Sequence, residues 1–141
     1  MKSVMALFIL FSLGFSPNVK NIPMGNNQLS QWFKNLRMVE SGDSHYKNGK
    51  VIISPKGAIG LYQVMPVTAQ FLGQKYQLLG HPERDIYNEK TNAMYANLCL
   101  QFLFFQLGEW DEVFNAYNMG INSSRWNGDY VYRIMVETKG E

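Results

Sequence analysis

From Leu29 onward the apolar positions recur at helical spacing. Leu29, Phe33, Leu36 and Glu40 stand four, three and four residues apart, which places them on one face of a helix. Ser41-Gly42-Asp43 then stops it, with Gly42 available for a left-handed cap. Residues 49–53 (GKVII) read as a short strand or an extended loop, and residues 54–60 as a turn-rich segment. Pro66 suits the first turn of a second helix, which is expected to reach about Leu72 and end at Gly73. Residues 80–85 read as a loop, after which Asn88 can cap a helix over 89–107 with Gly108 as its stop. That helix is the longest and is apolar nearly all round toward its C-terminal half, which suits the centre of a small domain. Shorter helices are expected from Asp111 to Asn118 and from Asp129 to Val136. The pattern predicts a mainly α fold, five or six helices around a central hydrophobic helix, with little or no sheet.

Upstream, residues 1–15 (MKSVMALFILFSLGF) carry one early lysine and then an apolar run. The run is shorter than the roughly 20 residues a spanning helix needs and has the length of a secretory hydrophobic region. The chain is therefore divided into a signal peptide over 1–16, a linker over 17–28 rich in Asn, Pro and Gly, and a folded domain over 29–141. Export to the periplasm or the exterior is expected. No clean small-x-small cleavage pattern follows the run, so an uncleaved, membrane-tethered form is the alternative.

At 141 residues the chain holds one compact domain, long enough to bury roughly 70% of its unfolded surface without disulfide staples. Hydrophobic residues at 46% against 17% charged exclude a disordered chain, and 14% aromatics point to a ring-rich core or cleft. A formal charge of +2 is too small to suggest a nucleic-acid partner. Cys99 is the single cysteine and sits in an apolar stretch, so it reads as an inert buried thiol. His45 and His81 lack metal-ligand spacing, and no metal or other cofactor is expected. Trp32, Trp110 and Trp126 are of the type that stacks on sugar faces, although each reads more simply as core.

Glu40 occupies a helical face where a packing residue would be expected. Burial of a carboxyl disfavours its charged form and raises its pKa, which is what a general acid near neutral pH needs. The plainer readings are a surface glutamate at a fraying helix end, or a partner for Arg37 three residues earlier.

Three segments settle how Glu40 is read. They are Glu40-Ser41, the stretch from Ser54 through Ala69 (SPKGAIGLYQVMPVTA), and Ala116-Tyr117-Asn118-Met119-Gly120. Together they closely resemble the soluble-lytic-type lytic transglycosylases of the lysozyme-like superfamily, over about residues 29–134. Tyr62 stands where that family usually has Met. The connection from Glu40 to Ser54 is longer, with a polar loop over 43–51. Tyr130-Val131 resembles the family's final Tyr-Val, without the acidic-Thr element before it.

The resemblance implies a lysozyme-like domain acting on peptidoglycan glycan strands. Glu40 would be the sole catalytic acid/base at the bond between N-acetylmuramic acid and N-acetylglucosamine, leaving 1,6-anhydro ends. It implies that Gln63 lines the cleft with both donor and acceptor, and that Tyr117 lies against Glu40 and orients its carboxyl. Ser54 and Ser41 are hydroxyls near the site, each able instead to cap a turn or helix, with Ser54 the better substrate contact. Gly60 and Gly57 let the backbone approach sugars or serve as plain turn glycines. Asn118 is a further binding candidate and equally a brace for the turn after its helix. A monomer is expected, in cell-wall turnover or alongside secretion, conjugation or phage machinery.

A hydrolase of the same bond would want a second carboxylate, for which Asp43, Glu83 and Asp85 are candidates by loop position. A non-catalytic glycan-binding or assembly module of the same fold is the rival of another class. A membrane-active toxin rests only on the apolar N-terminus and the Phe-rich helix.

Overall fold

The computed structural model describes residues 26–136. The apolar run, the signal-peptide reading of 1–16 and the linker up to residue 25 lie outside the described residues. Six helices and one two-stranded sheet are found among the described residues: α1 Asn26–Ser41, β1 Tyr46–Lys47, β2 Lys50–Val51, α2 Pro66–Lys75, α3 Pro82–Asp85, α4 Glu89–Leu107, α5 Trp110–Met119 and α6 Gly128–Met135. The mainly α, lysozyme-like expectation holds. None of these helices is long and apolar enough to cross a membrane.

Helix α1 begins at Asn26, inside the expected linker. Asn27 and Gln28 are solvent-exposed, so they can be helical without any apolar signal. The helix buries Trp32 and Leu36 and docks on α6. Asn35 Nδ2 donates to the Ile134 carbonyl at 2.8 Å and Trp32 Nε1 to the Met135 carbonyl at 3.1 Å. Two of the carbonyls that end α6 without helical partners are thereby satisfied. At its own C-terminus Gly42 adopts φ +70°, as the cap reading required.

The loop after α1 is more ordered than expected. Asn48 (φ 52°) and Gly49 (φ 76°) form the two-residue turn of a hairpin that pairs Tyr46 with Val51 and Lys47 with Lys50. Helix α2 starts at Pro66 as expected but runs two residues beyond Gly73, to Lys75. Gly73 is a packing position rather than a stop: a Cβ there would lie 2.4 Å from the Pro82 ring. The expected loop at 80–85 contains α3, whose start is drawn in by Asp85 accepting from the His81 backbone N–H at 2.9 Å.

Helix α4 has its ends where expected, with Asn88 accepting from Thr91 N and Gly108 at φ 78°. It buries Tyr95, Ala96, Leu100, Phe102 and Leu103, while Phe104, Phe105 and Leu107 are partly covered and Met94 is exposed. Trp110, at the start of α5, stacks on Phe104 (4.6 Å between centroids) and meets Phe33 and Phe114 edge-on or tilted, joining α1, α4 and α5. Trp32 and Trp110 are therefore core residues, while Trp126 is 55% exposed.

Candidate active site

Glu40 is the penultimate residue of α1 and is half-buried. The phenol of Tyr130, on α6, donates to its Oε1 at 2.5 Å. Burial raises the Glu40 pKa, and the Tyr130 hydrogen bond opposes part of that rise by favouring the carboxylate. The negative end of the α1 dipole also disfavours ionisation here. Burial and the Glu40 charge together push the Tyr130 phenol well above its ordinary value, so it remains a neutral donor. Arg37 does not take Glu40 as its partner: its Nε donates to Asp43 Oδ1 at 2.8 Å and its Nη1 to the Tyr62 hydroxyl at 2.9 Å. Arg37 is held charged because these bonds outweigh the depressing effect of its own burial.

Tyr117 departs from its expected role. Its phenol donates to the Tyr62 carbonyl at 2.6 Å, so Tyr130 and not Tyr117 carries the hydrogen bond to the glutamate. Tyr117 still feels the Glu40 charge; burial above all, with Cys99, Glu40 and Tyr62 adding to it, raises its pKa well above the usual range. Tyr130 had a sequence signal, the final Tyr-Val, but nothing in the sequence joined it to Glu40 across 90 positions.

The motif loop between β2 and α2 folds on itself through the bridges Ile53–Ile59 and Ile59–Val64. Two buried polar side chains fix it. His45 Nδ1 accepts from Leu61 N at 3.0 Å while its Nε2 bonds the Tyr87 carbonyl at 2.7 Å, which places the proton on Nε2. Asn92, fully buried in α4, donates to the carbonyls of Ile59 (2.8 Å) and Ile86 (2.9 Å) and accepts from Tyr62 N (3.0 Å). Neither residue was singled out for this from the sequence; an asparagine among the apolar positions of α4 was the available signal.

Several expected binding residues have structural partners, most of them in this loop. At Gly60 (φ 73°) a Cβ would stand 2.3 Å from the His45 ring, so the missing side chain makes room for a buried imidazole. Ser54 Oγ accepts from Ala58 N at 3.0 Å, closing the turn that contains Gly57. Ser41 Oγ donates to the Leu61 carbonyl at 2.7 Å and so ties the end of α1 to the loop. Asn118 Oδ1 accepts from Asn127 Nδ2 at 2.9 Å, bracing the segment between α5 and α6.

Gln63 is held at φ 53°, a left-handed conformation that few residues other than glycine adopt, with Nε2 donating to the Gly60 carbonyl at 2.9 Å. It opens onto a cleft of about 540 Å³ walled by α2 (Val67, Thr68, Phe71), α4 (Cys99, Phe102, Leu103) and the end of α5 with Tyr117 and Asn118. Burial pushes the Cys99 thiol up to about 12, so it stays protonated and inert. Glu40 is not among the residues that line this cleft; Tyr117 lines it and feels the Glu40 charge. Among the described residues no cluster of His, Cys, Asp or Glu could hold a metal ion.

Of the candidate second carboxylates, Asp43 is paired with Arg37, and Asp85 is engaged by the His81 backbone. Glu83 lies 4.0 Å from the His81 ring. The family model described as Transglycosylase SLT domain matches residues 25–134. Neither the comparison with curated proteins nor that with solved structures found a match.

Proposed function

Because the chain belongs to the Transglycosylase SLT domain family, whose members act on peptidoglycan, we propose that it is a lytic transglycosylase cleaving the β-1,4 bond between N-acetylmuramic acid and N-acetylglucosamine. The observation that carries this reading is one carboxyl, Glu40, buried enough to favour its protonated form and aimed by the Tyr130 phenol. As general acid, Glu40 gives its proton to the bridging oxygen, and the N-acetylglucosamine side leaves with its hydroxyl restored. Positive charge develops at the muramyl anomeric carbon, where the substrate's own acetamido oxygen attacks. The Glu40 carboxylate then removes the proton of the muramyl 6-hydroxyl, whose oxygen displaces the acetamido group and closes the 1,6-anhydro ring. The proton returns to Glu40, and no water is consumed.

A two-carboxylate hydrolase needs a second acid across the sugar ring. Asp43, the candidate nearest in sequence, is engaged by Arg37, which supports the single-carboxylate reading. Gln63, with an amide oxygen and a second N–H beyond its bond to Gly60, suits an acetamido group in the cleft. The substrate lies outside the cytoplasmic membrane, so this reading requires export of the chain. Digestion of purified peptidoglycan followed by mass spectrometry tests it. Anhydro termini, one water lighter than reducing termini, are expected from the wild type, and no cleavage from a folded Glu40→Gln variant. Reducing termini would make the chain a hydrolase, and full cleavage by Glu40→Gln would remove Glu40 from the chemistry.

A further inference from the structure

Arg37 lies three residues before Glu40 on α1, a spacing at which a guanidinium and a carboxylate can pair on a helix surface. Such a pair would favour the ionised glutamate, the wrong form for an acid. In the structure the guanidinium is held elsewhere by three contacts. Asp43 takes its Nε at 2.8 Å, the Tyr62 hydroxyl takes Nη1 at 2.9 Å, and its Cζ lies 5.6 Å from the centre of the Tyr62 ring. Two of the three come from Tyr62, the residue at which this chain departs from the methionine usual in the motif. Methionine has no hydroxyl to accept the second bond. Asp43 holds its place in a left-handed conformation (φ 59°) just past the end of α1, which carries its carboxylate back toward Arg37.

We propose that Asp43 and Tyr62 are positioning residues that hold the Arg37 guanidinium off the Glu40 carboxyl and neutralise its charge. The other titratable groups bearing on Glu40 are Tyr130 from α6 and Tyr117 from α5, with the Cys99 thiol of α4 behind them. All three are kept neutral by burial. Arg37 is a full charge on the same helix as the acid, so where it points matters more than any of them. The proposal rests on reading Glu40 as the general acid.

The test follows the Glu40 side-chain carboxyl by carbon-13 NMR titration, together with the pH profile of peptidoglycan lysis. Asparagine tolerates the left-handed backbone at position 43, so Asp43→Asn removes the charge without strain. In Asp43→Asn the freed guanidinium turns to Glu40. The carboxyl then titrates at lower pH, the alkaline limb of activity moves down with it, and lysis at neutral pH falls about tenfold, the equivalent of one pKa unit. Tyr62→Phe shifts both in the same direction. Adding Arg37→Gln to Asp43→Asn restores the carboxyl titration and the alkaline limb, which a purely structural role for Asp43 would not allow. An unmoved Glu40 titration in folded Asp43→Asn or Tyr62→Phe, or no restoration in the double variant, overturns the proposal. Lysis by Glu40→Gln would instead sink the acid assignment, while the carboxyl titration would still report on the Arg37 arrangement.

Discussion

A carboxyl that folding prefers to keep protonated weakens the native state whenever it must ionise. The Glu40 pKa is raised in the folded chain above its ordinary value of 4.5. Below that value both folded and unfolded chains hold the proton, and Glu40 is neutral in its effect. As pH rises from there toward the folded pKa the native state binds more protons than the unfolded one, so stability falls, and above the folded pKa the loss is complete. Glu40→Gln should therefore melt at a higher temperature than the wild type at neutral pH, with the gap closing in acid, as calorimetry across pH would show. Tyr130→Phe and Tyr117→Phe separate the two phenols. Loss of the Tyr130 bond removes the group that favours the Glu40 carboxylate, so the carboxyl should titrate at still higher pH; lysis should nonetheless fall by tenfold or more, because the carboxyl is no longer aimed. Tyr117→Phe should leave that titration nearly in place, because its phenol is bonded to the Tyr62 carbonyl. Glu40 stood out by its place in an apolar helical face, and only the three motif segments turned that into a candidate acid. Its partner did not stand out, because two phenols near the C-terminal motifs look alike until the helices are docked.

At the scale of elements, the motif loop is a rigid insert clamped between His45 and Asn92, and its glycine is chosen by packing. Gly60→Ala would drive a methyl group to 2.3 Å from the His45 ring at a φ of 73°, and a loss of about 2 kcal/mol or more is expected in denaturant titration. Asn92→Ala leaves two carbonyls and one N–H without their partner in the interior, and at about 1–3 kcal/mol for each such group it should unfold much of the population. Helix starts and stops at Pro66, Asn88 and Gly108 could be read directly, because each acts on the backbone within a few residues of itself. Gly73 misled, since the same residue serves a cap or a close helix contact, and only the position of Pro82 decides between them. The Asn48-Gly49 hairpin carried a readable turn signal, but strands of two residues each are too short for alternation to reveal.

Across the whole molecule, the first and last described helices lie against each other, and the Glu40–Tyr130 pair is made at that seam. Asn35 is buried there with its amide on the Ile134 carbonyl. Asn35→Ala should cost about 1–3 kcal/mol and lower lysis further than the loss of folded protein explains, because Tyr130 rides on α6. A mainly α fold around the long apolar helix followed from periodicity alone. The α1–α6 contact did not, since no local pattern encodes which amphipathic faces meet. It has a consequence for timing. Glu40 and the phenol that aims it are 90 positions apart, so a nascent chain, or one cut between α5 and α6, carries the acid without its guide. Wall cleavage of the proposed kind would thus wait until α6 has been made and docked on α1.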